Sequence, residues 1–234
     1  MLMERRPSLM AKLYIVSTPI GNLQDISLRA LEVLKQVSAI AAEDTRITTK
    51  LLSHFEIKKP LFAYSYQIDS PKNKRLSDLL KDGKDIALVT DAGTPGVSDP
   101  GGKIIERVLK EFGSQVQVIP IPGPNAALAA LSISGFPTDK FLFLGFPPHK
   151  KGRQKFFREV AGSPHTVVFY ESPHRILKTM KELASNPELK GRPLVIGREL
   201  TKKFESIYRG TAEEILEKYE MELERGELVL VVGK

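Results

Sequence analysis

Four short strings in this chain of 234 residues concentrate glycine, proline and small polar side chains: STPIGNL at 17–23, DAGTPGVSDPG at 91–101, IPGPNA at 121–126 and FLGFPP at 143–148. Such strings suit ligand binding, because glycine lets backbone approach a ligand closely and proline stiffens the approach. A rigid turn alone would account for any single one. The string at 91–101 carries most chemistry: a carboxylate, Asp91, closing an apolar run, two glycines for close approach, and Ser98 with Asp99 placed to cap a helix after Pro100. The string at 17–23 has neither G-x-G-x-x-G spacing nor a Lys-Ser/Thr after its glycine, so a phosphate cradle is not supported.

Charge adds a second kind of chemistry. Lys and Arg number 35 against 28 acids, a formal net charge of +7. Residues 140–209 hold 15 basic and 6 acidic side chains, a balance of +9, whereas 211–234 hold 3 and 7, a balance of −4. Directly after the FLGFPP string, residues 149–158 combine five basic side chains, Lys150, Lys151, Arg153, Lys155 and Arg158, with Phe156 and Phe157. That pattern suits a polyanion-facing surface whose phenylalanines anchor in the core. Arg46 and Arg175 follow strand-like runs and are suited to orienting phosphates or carboxylates. His174 has the right intrinsic pKa for proton transfer, but Ser172, Pro173 and His174 also read as a plain helix start.

The elements that must position these residues follow a βαβ pattern, short apolar runs ending in Gly, Pro or Asp and then helix-period segments. Strands are expected at 13–17, 39–42, 85–90 and 115–120. Helices are expected from Leu28 to Val37 behind a Ser27 cap, at 102–112 and at 125–133, the last so rich in alanine that it must pack closely. The turn residues around 134–139 mark a boundary, giving a tail at 1–12, an N-terminal α/β domain at 13–134 and a C-terminal one at 135–234. The second half is read as repeating the layout, with strands at 140–144, 166–170, 193–197, 204–209 and 228–232 and helices at 151–161, 174–184 and 211–223. In open α/β sheets ligands collect beyond the carboxyl ends of strands, where the four strings fall.

Composition bounds the rest. With 41% apolar and 27% charged residues the chain is an ordinary globular protein, and with no cysteine it has no disulfides, thiol nucleophiles or Cys-ligated metals. That fits a reducing compartment. No run approaches the roughly 18 apolar residues of a membrane helix, and the N-terminal residues lack a signal-peptide core. A soluble, cytoplasmic protein is expected.

The strings at 91–101 and 122–125 resemble the tetrapyrrole-methylase superfamily, whose members bind S-adenosylmethionine between two α/β domains. With STPIGNL, AEDTR at 42–46, the FLGFP string, YESPHR at 170–175 and RELTK at 198–202, the chain resembles the ribosomal RNA small subunit methyltransferase I family, in order from about residue 13 to 232. The resemblance implies an α/β fold of two αβα domains of the class III methyltransferase type with the cofactor cleft between them. It also implies methyl transfer from S-adenosylmethionine to the ribose 2′-oxygen of a cytidine in small-subunit (16S) ribosomal RNA, without a metal. The partner is then that RNA or the assembled small subunit, and the chain a homodimer.

Carried onto this sequence, the resemblance assigns cofactor binding to Pro19, Gly21, Asp91, Gly93, Thr94, Pro95, Ser98, Gly123, Pro124 and Asn125, with Leu144 or Tyr170 walling the adenine. RNA binding falls to Arg46, Lys150, Lys151, Arg153, Lys155 and Arg175. Catalysis falls to Glu171, Glu199, Lys202 and Arg198, with Glu43 and Asp44 as further proton acceptors, and the sequence does not choose among them. Each has a structural alternative: Ser98 and Asn125 as helix caps, Glu171 and Glu199 as ion-pair partners of Arg175 and Arg198, and Lys202 as a phosphate ligand rather than a base. Many relatives continue into a small helical extension beyond the string at 226–234, and whatever that extension contributes to RNA binding is not expected here. Two rivals remain, a methyltransferase acting on a tetrapyrrole precursor and a non-enzymatic module retaining the cofactor cleft.

Overall fold

The computed structural model describes residues 10–67 and 70–234. In it the short apolar runs form strands because their β-branched and small residues suit a sheet covered on both faces. The chain divides into two units, one ending at Pro124 and one running from Asn125 to Lys234. The first contains β1 (Ala11–Val16), α1 (Leu28–Gln36), β2 (Ala39–Ala42), α2 (Thr45–His54), β3 (Leu61–Ala63), α3 (Pro71–Lys81), β4 (Ile86–Val89), α4 (Gly101–Phe112) and β5 (Val116–Ile121). Among its described residues the five strands are all parallel, in the order β3-β2-β4-β1-β5.

Alternation along the strands builds a core on each face. Ala39, Ala41, Ile86 and Leu88 pack with Leu76 and Leu80 of α3 and with Ile104, Val108 and Phe112 of α4. Ile40, Ala42, Ala87 and Val89 point the other way, onto Ala30, Val33 and Leu34 of α1 and Leu51 and Leu52 of α2. Ser27 caps α1 through the Ala30 amide, as its position before the helix period implies.

The second unit contains α5 (Ala126–Ser132), β6 (Phe141–Phe143), α6 (Arg153–Gly162), β7 (Thr166–Glu171), α7 (Ile176–Ser185), β8 (Leu194–Arg198), β9 (Ser206–Gly210), α8 (Ala212–Leu223) and β10 (Leu228–Val232). Its sheet has the order β6-β7-β10-β8-β9. Helices α6, α7 and α8 bury Phe156, Phe157, Val160, Ile176, Met180, Leu183 and Ile215 in one core with Phe169, Ile196 and Leu230. The alanine-rich α5 packs across β10, β7 and β8, burying Ala127 and Ala130. The close packing anticipated for it is therefore against its own sheet.

Several expectations change. Of the tail expected at 1–12, residues 1–9 lie outside the described residues, while Ala11 and Lys12 already belong to β1, paired with Val116 and Gln117. The division between units falls at Pro124, not at 134, because the contacts of α5 place it with the later strands. The stretch 45–84, for which the sequence reading gives no element, holds α2, β3 and α3. The second sheet does not repeat the parallel layout of the first: only β6 and β7 run parallel, and β10 lies antiparallel to both β7 and β8. The β8–β9 connection at 199–205 is too short for the crossover of roughly a dozen residues that a parallel pair needs, so β9 returns antiparallel.

Candidate functional site

In the first unit, β4, β1 and β5 are neighbours, so the loops that leave their carboxyl ends meet. The Thr18 amide donates to the Gly93 carbonyl at 2.9 Å and the Gly93 amide returns to Thr18 at 3.0 Å. The Ser17 hydroxyl donates to Thr94 Oγ1 at 3.0 Å, and Thr94 donates on to the Pro124 carbonyl at 3.0 Å. Thus STPIGNL, DAGTPG and IPGP are clasped into one surface. Glycine is required in two places: Gly93 has φ +85°, and a Cβ on Gly123 would lie 2.9 Å from Ser17 Cβ.

Pro19, Gly93 and Pro95 are buried within the clasp, and Gly21 and Gly123 are exposed on it. Ser98 does not cap α4: it sits at φ +64°, exposed. The neighbouring Asp99 makes the local bonds instead, accepting from the Gly101 amide at 2.6 Å and from the Gly96 amide. Asn125 caps α5, accepting from the Ala127 and Leu128 amides.

Beside the clasp, β2 and β4 end in facing acidic residues. Asp91 accepts from the Asp44 amide at 2.9 Å, and Glu43 accepts from the Thr90 hydroxyl and the Asp91 amide. Burial, then the charges of Glu43 and Asp44, pushes the Asp91 carboxyl above its ordinary range, against the hydrogen bond from Asp44. The side-chain hydrogen bonds of Arg46 hold the partly buried Asp44 down at about 2. Tyr64, buried nearby, has its phenol pushed well up by burial and by the charges of Glu43, Asp99 and Asp91.

In the second unit, β6, β7 and β8 end at one edge. Glu171 and Arg198 both face Leu228 in the sheet register, so the YESPHR and RELTK strings share that edge. Glu171 has no exposed side-chain surface and lies 2.7 Å from Arg175 and 3.7 Å from Arg153. It also accepts from the Ser172 amide and the Thr179 hydroxyl. Those bonds use its acceptor sites, which makes it an internal counter-ion rather than a free base.

The RELTK loop is tied to the start of β10. Glu199 accepts from the Glu227 amide at 2.8 Å and from Lys202 at 3.0 Å, and Arg198 donates to the Arg225 and Phe204 carbonyls. Burial raises the Glu199 carboxyl, but the Glu227 amide and Lys202 outweigh it, and the net shift is downward. For Lys202 burial favours loss of the proton, yet its bonds to Glu199 and Glu227 prevail and the shift is upward. Lys202 is an ammonium at neutral pH, not a base.

Residues 12–216 match the family model of tetrapyrrole (corrin/porphyrin) methylases. The chain is 41% identical over 225 residues to the ribosomal RNA small subunit methyltransferase I of Thermotoga maritima, covering 96% of this chain and 99% of that protein. It is 46% identical over 221 residues to the protein of the same name from Halalkalibacterium halodurans, covering 94% of this chain and 75% of that protein. The chain belongs to the ribosomal RNA small subunit methyltransferase I family. Among solved structures it shares the fold of diphthine synthase, with a TM-score of 0.72 at 14% identity covering 96% of this chain and 90% of that one. It likewise matches cobalt precorrin-4 methyltransferase, with a TM-score of 0.70 at 20% identity covering 99% and 98%.

Within this methyltransferase family member, the basic residues of the second unit sort by exposure. Lys150, Lys151 and Lys155 are exposed. Arg153 is not: it is 5% exposed, bonded to Glu182 at 2.8 Å and Thr179 at 2.6 Å, and it also reaches the Pro148 carbonyl. Its assignment to RNA binding is corrected, since a guanidinium closed over by two carboxylates and a hydroxyl has no surface to give a phosphate. Arg175 is likewise committed, to Glu171, Ser172 and the Pro147 carbonyl. Arg46 is exposed but paired with Asp44.

Tyr170 is braced between Phe143 and Phe146, with ring centroids 5.2 and 5.3 Å away. Leu144 packs partly buried against the core. Sequence reading missed Tyr64, Thr90, Thr179 and Glu182, and named Thr18 only as part of its string. Only Thr179 carried a signal, a polar residue within the buried stripe Ile176, Thr179, Met180 and Leu183 of α7.

Proposed function

We propose that this chain transfers the methyl group of S-adenosylmethionine to the ribose 2′-oxygen of a cytidine in small-subunit ribosomal RNA. The observation that carries the reading is the clasp of Thr18 with Gly93 and of Ser17, Thr94 and Pro124, which in a member of this family presents glycine backbone beside a cluster of carboxylates. These residues fit a donor of that chemistry. Gly93, at φ +85°, and Gly123, whose Cβ would strike Ser17, let the clasp close with its backbone bare, and Glu43, Asp44 and Asp91 complement the positive charge of an amino-acid ammonium. When bound, S-adenosylmethionine supplies a methyl group already activated by positive sulfur, so the protein's work is alignment and exclusion of water.

The clasp supplies a rigid floor for that alignment. Of the carboxylates at this edge, Asp91 has the proton affinity raised by burial, whereas Asp44 is a poor proton acceptor. Lys150, Lys151 and Lys155 supply phosphate contacts, which position a nucleic acid without reading its sequence. Relatives named as ribosomal RNA methyltransferases support the substrate class. No described helix is long and apolar enough to cross a membrane. We take the chain to act in the cytoplasm as a homodimer.

Incubation with methyl-labelled S-adenosylmethionine and either naked small-subunit RNA, assembled small subunits or a tetrapyrrole precursor tests this. Label in RNA at an alkali-resistant cytidine is expected. Label on the tetrapyrrole, or on neither, would sink the proposal.

A further inference from the structure

Phe146 is 49% exposed although it sits on a turn braced by several hydrogen bonds. Gly145 turns the chain at φ +63°, and its carbonyl accepts from the Tyr170 amide at 2.8 Å. Pro147 and Pro148 follow, and each proline carbonyl is held by a different arginine, Pro147 by Arg175 at 2.7 Å and Pro148 by Arg153 at 3.3 Å. Both arginines rest on the buried Glu171. From behind, the Phe146 ring is braced by Tyr170, itself braced by Phe143. A phenylalanine held this firmly but left half in solvent forgoes burial it could gain by folding inward. The side chains next along the chain, His149, Lys150 and Lys151, are exposed and form no ion pair among the described residues.

A rigid aromatic face beside unpaired cations matches an unstacked base and its neighbouring phosphates, the usual way single-stranded RNA is held. Resting on the function proposed above, we infer that Phe146 is a stacking platform for a base of the RNA substrate, and that the Glu171, Arg153 and Arg175 network is the device that positions it. An apolar protein partner fits less well, because exposed cations follow the ring within a few residues along the chain.

The chain contains no tryptophan, so F146W carries a single tryptophan, at the proposed contact, which can be excited apart from the tyrosines. Titration with a short oligocytidylate is expected to quench its emission saturably, and F146A is expected to bind the same RNA roughly tenfold more weakly while F146W restores affinity. Affinity for S-adenosylmethionine, measured by calorimetry, is expected to stay within about twofold in both variants. Unchanged emission, unchanged RNA affinity in F146A, or a loss confined to the methyl donor would each overturn the assignment, the last by placing the adenine on this ring. Should wild-type protein fail to methylate RNA while F146W is still quenched, the proposed function fails and the stacking contact stands.

Discussion

Glu171→Gln keeps the size of the buried side chain and removes its charge, so it asks whether the network at the end of β7 is ionic or merely packed. The native carboxylate lies 2.7 Å from Arg175 and 3.7 Å from Arg153 and accepts from Ser172 and Thr179. Glutamine offers one acceptor in place of two and turns an amide donor toward groups that are themselves donors. Arg153 keeps Glu182 at 2.8 Å, whereas Arg175, with a side chain only 16% exposed, is left with neutral acceptors on Ser172 and Pro147.

Removing one partner of a buried ion pair costs about 3–5 kcal/mol, and the compensation from Glu182 puts this case near the lower end, ~3 kcal/mol. At about 4–8 °C per kcal/mol for a unit of this size, the second unit is expected to melt roughly 12–24 °C lower, or about half that if both units melt together. Differential scanning calorimetry reads the shift. Glu171→Gln/Arg175→Met, which removes both charges, is expected to recover much of the loss. A single variant melting within about 3 °C of wild type would show that the charges are not coupled.

Other outcomes follow from the same geometry. Lys150→Glu/Lys151→Glu is expected to leave the melting temperature unchanged while weakening RNA binding and lowering the log–log salt slope by about 1.5, whereas Arg153→Ala should destabilise the fold; filter binding across salt concentrations, paired with thermal melts, separates the two. Gly123→Ala brings a methyl group to 2.9 Å from Ser17 Cβ, and a loss of donor affinity of about tenfold or more by calorimetry is expected, with no loss if the clasp plays no part in binding. For Asp91 the folded-state pKa is raised, so its contribution to stability is full below the unfolded pKa and lost as pH rises through the folded one. Asp91→Asn should therefore flatten the melting profile in that acidic window without lowering stability at neutral pH, and a steeper profile would contradict the sign.

Much of the scaffold was legible locally. The runs at 39–42 and 228–232 coincide with β2 and β10, because a continuous apolar stretch of strand length between turn formers has few other uses. Ser27 and Asn125 cap helices as their positions imply, since capping needs only residues two or three apart. The stretch 45–84 was not legible: α2 and α3 are strongly polar, each buries few apolar side chains, and β3 has only three residues. Nor was the sheet of the second unit, whose mixed directions depend on β10 inserting between β7 and β8 from the far end of the chain.

What the sequence determined by itself was the set of glycine- and proline-stiffened strand ends, the family to which they belong and the basic bias of the second half. Tertiary structure alone decided what each charge does. Lys150 and Arg153 are three residues apart with the same formal charge, yet one is exposed and the other is enclosed by Glu182, Glu171 and Thr179. Glu171 and Lys202 both stand as candidate proton acceptors until their partners are in place, some close in the chain, Arg175 and Glu199, and some farther off, Arg153 and Glu227; those partners occupy acceptor sites of one and keep the proton on the other. The role of an ionisable group is set by its solvation and its neighbours within a few ångströms, and the residues beside it in the chain supply only some of those neighbours.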